Sequence, residues 1–134
     1  MSDGVYVFDP ENNSWKRAPI SLTPIRLYLF TNAFCVNACN RTLGIILDSV
    51  GELIDNKITS LSLIVCTRFR HVCNDDEAQE LFIVYDIFAS PSVVVIVNNK
   101  VWAAIKGSYR IQKELNTVLS RLREKISEYS KDAR

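Results

Sequence analysis

Hydrophobic positions alternate with polar ones, or run together, in blocks that divide these 134 residues into strand-sized and helix-sized pieces. Val5 to Phe8 alternates around β-forming residues, Asp9-Pro10-Glu11-Asn12-Asn13 interrupts it, and Ser14, Trp15 and Lys16 resume, which predicts a hairpin with a polar turn. Pro19 and Pro24 bracket a short irregular linker. Ile25 to Thr31 and Ile58 to Cys66 are rich in aliphatic residues and predict buried strands. Between them Leu43, Ile46, Leu47, Val50, Leu53 and Ile54 recur at three- and four-residue steps, so a helix with one buried face is expected from about Val36 to Ile54. A loop through Cys73 follows, then a short helix capped by Asn74 or Asp75, then an approach from Tyr85 to Pro91. Val93 to Val97 and Val101 to Ile105 flank Asn98-Asn99, a signal for a tight turn with positive φ. Ile111, Leu115, Val118, Leu119, Leu122 and Ile126 then mark the apolar face of a last helix, of about five turns.

This order specifies an α/β domain. Two strands joined by a helix-length crossover run parallel in a right-handed unit, so their C-terminal ends share one edge of the sheet. Cys35 and Cys39 follow the first of those strands, Cys66 ends the second and Cys73 follows it. All four cysteines are therefore expected on the edge where open α/β sheets bind ligands. Cys35 opens the helix, where unpaired N–H groups and the positive end of the helix dipole favour a thiolate. In a regular helix the Cα atoms of residues i and i+4 lie about 6 Å apart, near the upper limit for a disulfide. A Cys35–Cys39 bond is thus permitted, without being required, if the first turn is irregular or Cys35 lies outside it.

Length and composition narrow the function classes. The chain fits one compact domain. Its longest apolar runs, Leu61 to Cys66 and Ser92 to Val97, are strand-sized, so no membrane partner is expected. The formal net charge is +1 with both signs interspersed, and only Arg68, Arg70 and His71 cluster, so no nucleic-acid partner is expected either. The opening Met-Ser-Asp-Gly lacks the pattern of a secretory signal, which gives a cytoplasmic expectation. Cysteines in that setting point to redox chemistry, metal binding or core packing before a structural disulfide framework.

From Tyr85 to Gly107 the sequence reads Tyr-x-Ile-x-x-x-Pro, an apolar strand, an Asn-containing turn, a second strand and a glycine before the last helix. Upstream, a buried strand leads through Phe34 to two nearby cysteines and an amphipathic helix. This pattern, from about Ile25 to Ile126, resembles the thioredoxin superfamily. The resemblance implies a thioredoxin-like fold, a central mixed sheet flanked by helices, with residues 1–24 as an N-terminal hairpin and linker and 25–134 as the thioredoxin-like domain. It also implies that Pro91 follows a cis peptide bond and packs beside the Cys35 turn, that the backbone at Ser90 pairs with an extended substrate, and that Phe34 and Pro91 help bind it. Two departures bear on activity. Three residues separate Cys35 from Cys39 where the family has two, and Tyr28 and Leu29 stand near the place of the family's buried acid.

Three functions are compatible with these residues. In the first, the resemblance implies a thiol–disulfide oxidoreductase without cofactor, in which Cys35 attacks a protein or small-molecule disulfide and Cys39 resolves the mixed disulfide. In the second, the pair is unreactive and the fold serves as a protein-interaction module. In the third, Cys35, Cys39, Cys66 and Cys73 hold a metal ion or iron–sulfur cluster, with His71 as a substitute ligand. For Cys66 inert packing is the default, and a disulfide with Cys73 is conceivable. His71 is expected to be solvated and Tyr85 to pack in the core. The N-terminal hairpin supplies an added edge strand, a surface on which a homodimer could pair.

Overall fold

The computed structural model describes residues 2–132, with the side chain of Asp132 left aside. Six strands form one mixed sheet in the order β2-β1-β4-β3-β5-β6. They are β1 (Gly4–Asp9), β2 (Ser14–Arg17), β3 (Ile25–Asn32), β4 (Thr59–Arg70), β5 (Ser92–Val97) and β6 (Lys100–Lys106). The helices are α1 (Val36–Val50), α2 (Asp76–Val84) and α3 (Ser108–Asp132). β3 and β4 are parallel, from Ile25 opposite Thr59 to Asn32 opposite Cys66. β5 is antiparallel to β3, with Phe30 opposite Ser92, so the start of β5 returns to the edge where β3 ends.

Residue parity divides the core. Odd-numbered positions of the central strands, among them Leu27, Leu29, Leu61, Leu63, Val93 and Val95, pack with Ile46 and Val50 of α1 and Ile111, Leu115 and Leu119 of α3. Even-numbered positions, Tyr28, Phe30, Ile64, Cys66, Val94 and Ile96, pack with Ala78, Leu81 and Phe82 of α2. Phe30 and Phe82 meet edge to face at 5.0 Å between ring centres, a geometry that suits their quadrupoles. With both faces covered, β5 is buried at all six positions, which is why Ser-Val-Val-Val-Ile-Val reads as a continuous apolar run.

The hairpin is part of this sheet. β1 pairs antiparallel with β4, Gly4 opposite Val65, and buries Val5, Tyr6 and Phe8. Trp15 of β2 is half-buried against Phe8, 5.2 Å between ring centres. Asn98 and Asn99 have φ of 51° and 66°, the two positive values of the tight β5–β6 turn.

Three elements differ from their sequence expectations. α1 ends at Val50 rather than Ile54, and Gly51–Leu53 tightens into a 3-10 turn before the extended Ile54. α3 runs for 25 residues, longer than the apolar stripe ending at Ile126 indicates, because Tyr129 still packs on the core. β4 continues past Cys66 to Arg70 and folds back so that Arg68 bridges Val72, with Phe69 in the left-handed region at φ 51° and its ring 6.3 Å from Phe82. No helix among the described residues is long and apolar enough to cross a membrane.

Candidate redox site

The end of β3 turns on Asn32. Its side-chain oxygen accepts from the Phe34 N–H at 2.9 Å and its carbonyl from the Cys35 N–H at 3.2 Å, so a side chain and the backbone cooperate in one tight turn. The Ala33 N–H donates to the Thr67 carbonyl at 3.3 Å, which ties this turn to β4. The turn pushes Phe34 into solvent, 74 % exposed, and leaves Cys35 as the residue that caps α1.

Cys35 has φ −101° and ψ 57°, outside the helix, and is bonded to Cys39 with a Cα–Cα distance of 5.5 Å. The non-helical cap is what brings residues four apart within disulfide reach. The two cysteines differ in access: Cys35 is half-buried, and Cys39 is 5 % exposed, on the buried face of α1. No side chain caps the first-turn N–H groups of α1, and no acidic residue stands in that turn. The start of a helix left in this way is a position where unpaired N–H groups and the helix dipole meet, and Cys35 stands at it. A cleft of about 400 Å³ lies alongside, lined by Leu29, Thr31, Cys35, Cys39, Leu43 and Leu63.

Pro91 stands at the same edge, since Ser92 is level with Phe30, and the Ser90–Pro91 peptide is cis. Two hydrogen bonds hold this segment. The Gly107 N–H donates to the Pro91 carbonyl at 3.0 Å, and the Ser92 hydroxyl donates to the Ala89 carbonyl at 2.6 Å. Gly107 has φ 91°, a backbone region in which a side chain would be strained. Ser90 is half-buried.

The second cysteine pair is also bonded, Cys66 to Cys73 with Cα atoms 4.7 Å apart, so packing as a free thiol is not the state of Cys66. Cys66 is fully buried and belongs to the α2 face of the sheet, whereas Cys39 is on the buried side of α1, which packs on the other face. The four cysteines thus share an edge without converging. The alternative of one shared set for a metal or cluster is not formed, because sheet parity puts the pairs on opposite faces and the sulfurs are bonded in two separate pairs. Among the described residues no group of three His, Cys, Asp or Glu side chains is placed to hold a metal ion. His71 is exposed beside the β4 turn, and Tyr85 packs with Tyr28 and Phe30 as expected.

Two contributors to this edge escape the sequence reading. Asn32 shapes the turn, for which an Asn between a strand and a helix is an available signal. Arg68 lies over the Phe34 ring at 5.9 Å, a contact that no local pattern announces.

No family model matches the chain, and no curated protein matches it in sequence. Among solved structures it is similar to the thioredoxin from Aeropyrum pernix, at 10% identity and TM-score 0.60, over 92% of this chain and 95% of that one. It is also similar to the oxidised thioredoxin from Plasmodium falciparum, at 15% identity and TM-score 0.54, over 76% of this chain and 84% of that one. The chain has the thioredoxin-like fold, with β1 and β2 as an N-terminal hairpin extending its sheet.

Proposed function

We propose that this protein is a thiol–disulfide oxidoreductase that acts through Cys35 and Cys39 on disulfides of proteins or small molecules. The observation that carries this reading is the Cys35–Cys39 bond at the uncapped start of α1, with one sulfur accessible and the other buried. In the reduced protein the Cys35 thiolate attacks one sulfur of a substrate disulfide and displaces the other as a thiolate. The Cys39 thiolate, its proton lost to solvent, then attacks the Cys35 sulfur, re-forms the Cys35–Cys39 bond and releases the second substrate thiolate. Two electrons pass to the substrate, and the chain ends oxidised. In this reading Phe34, which precedes Cys35, and Ser90 and Pro91, at the same sheet edge, receive an extended substrate segment that pairs with the backbone at Ser90.

The order of attack follows from access, because an outside disulfide meets Cys35 before it can meet Cys39. The Cys39→Ser variant, reduced and mixed with an excess of a small disulfide, is therefore expected to stop at a mixed disulfide on Cys35, visible as an added mass that dithiothreitol removes. The Cys35→Ser variant is expected to form little. Equal trapping on both variants, or none on Cys39→Ser, would remove the assignment of Cys35 as nucleophile.

A further inference from the structure

The cysteine edge is unevenly charged. The turn and first helical residues 32–41 contribute Arg41, the β4 loop 67–73 contributes Arg68, Arg70 and His71, and the approach to Pro91 contributes Asp86, with Lys106 closing β6. Four cationic side chains thus stand against the exposed Asp86 and the buried Asp3, whose carboxylate is taken up by the Thr67 hydroxyl and the Asn74 N–H, in a chain whose formal net charge is only +1. Of the acids that open α2, Asp75 pairs with Arg17 and caps the Ala78 N–H, Glu77 accepts from the Ile20 N–H, and Asp76 is exposed.

Two of the cations sit on exposed aromatic rings. Arg68 lies 5.9 Å from the centre of Phe34, immediately before Cys35, and Lys106 lies 5.6 Å from the centre of Phe88, three residues before Pro91. Phe34 is 74 % exposed and Phe88 67 %. Stacking on a ring restrains a long side chain; the Lys106 ammonium is held further by donating to the Asp86 carbonyl at 3.2 Å, while the Arg68 guanidinium keeps its donors for a partner's carboxylate. The Arg68 position is further fixed by its loop. The Cys66–Cys73 bond closes that loop at its base, Arg68 N–H donates to the Val72 carbonyl at 3.0 Å, and Phe69 is anchored against Phe82. A positive charge held in place beside an accessible sulfur is a recognition element for negative charge.

We infer that the disulfide-closed loop 67–73 selects the substrate, and that the preferred substrate is an extended protein segment whose disulfide is flanked by acidic side chains. This rests on the oxidoreductase reading above and adds the chemistry of its partner. The acidic flank meets Arg68 and Arg70, the segment's apolar groups lie on Phe34 and Phe88, and the sulfur reaches Cys35.

The test uses two peptides, each with one internal disulfide and identical except for glutamates or lysines beside the cysteines. The reduced protein is mixed with each, and the rate of oxidation is divided by that peptide's rate with uncharged dithiothreitol. At low ionic strength the glutamate peptide is expected to react on the order of tenfold faster, and the ratio is expected to fall towards about twofold in high salt. Arg68→Glu together with Arg70→Glu is expected to invert the order. Arg121→Glu, an exposed charge on α3, is expected to keep the wild-type ratio. Equal rates for the two peptides, or an unchanged ratio in the double variant, would overturn the inference. So would reaction with neither peptide while the Cys35–Cys39 couple still equilibrates with glutathione, in which case the oxidoreductase reading stands. If glutathione also fails to form the couple, the oxidoreductase reading fails and this inference with it.

Discussion

Removing the second disulfide is the perturbation whose size the structure lets us work out most fully. Cys66 and Cys73 are seven positions apart, so the bond closes a loop of eight residues. Closure of that length removes about 2.5 kcal/mol of conformational entropy from the unfolded chain. Cys66 is fully buried, and exchanging its sulfur for hydrogen in Cys66→Ala takes away about one methylene's worth of burial, ~0.8 kcal/mol. Cys73 is half-buried and adds little. The native loop keeps its other restraints, the Arg68–Val72 bridge, the Phe69 contact with Phe82, and the Asn74 N–H donating to Asp3 at 2.9 Å. The Cys66→Ala/Cys73→Ala variant is therefore expected to fold to the same structure with about 3 kcal/mol less stability. For a chain of this length that lowers the thermal midpoint by roughly 10 °C. Urea unfolding of both proteins, prepared without reductant, measures the difference, and coincident near-ultraviolet circular dichroism before unfolding checks that the folded state is the same. A loss under about 1 kcal/mol would refute the reasoning that loop closure in the unfolded chain is what this bond contributes.

Other consequences are local. Tyr28 is fully buried, its hydroxyl has no partner at hydrogen-bond geometry, and burial raises its pKa against the opposing influence of nearby Arg26. Tyr28→Phe is expected to leave stability unchanged or raise it by up to about 1 kcal/mol, read from the urea midpoint, and a loss above about 1 kcal/mol would show that the hydroxyl is satisfied. At Asp55 burial acts to raise the pKa but is outweighed by hydrogen bonds from the N–H groups of Lys57, Ile58 and Thr59, which hold it below the ordinary carboxylate value. A depressed folded-state pKa stabilises at neutral pH, and that contribution is lost as pH falls through the folded value. Asp55→Ala is thus expected to be destabilised near neutrality and to converge on the wild type in acid, checked by unfolding at both pH values. Asp75→Ala removes the cap of α2 and is expected to cost about 1 kcal/mol, nearly all of it persisting in high salt because the exposed Arg17 pair contributes little.

Much of this architecture was legible because burial on a sheet and on a helix face leaves a periodic trace. The β5–β6 turn could be read from Asn98-Asn99 because few other residue types tolerate two consecutive positive φ angles. The expected crowding of cysteines at one edge followed from the parallel pairing of β3 and β4. What the sequence reading left open was the third dimension of that edge. Cys66 shares its parity with Ile64 and Phe30, and Cys39 lies on a helix packed against the other parity, so the two pairs are kept apart by the thickness of the sheet. The extension of β4 was hidden for a different reason. Phe69 adopts a left-handed conformation unusual for an aromatic residue, stabilised by its contact with Phe82, and local propensity carries no sign of it. The stacking of Arg68 on Phe34 depends on that fold-back and was invisible with it.

The measurement that bears most directly on the proposed activity is an equilibrium titration of the protein in glutathione buffers of graded redox poise, quenched by alkylation and mapped by mass. Cys35 and Cys39 should interconvert together between dithiol and disulfide in a single reversible two-electron step, with Cys35 the faster to alkylate when reduced. A Cys35–Cys39 bond that never forms across that range, or that forms and cannot be reduced by dithiols, would contradict the oxidoreductase reading and leave the fold as a scaffold for binding.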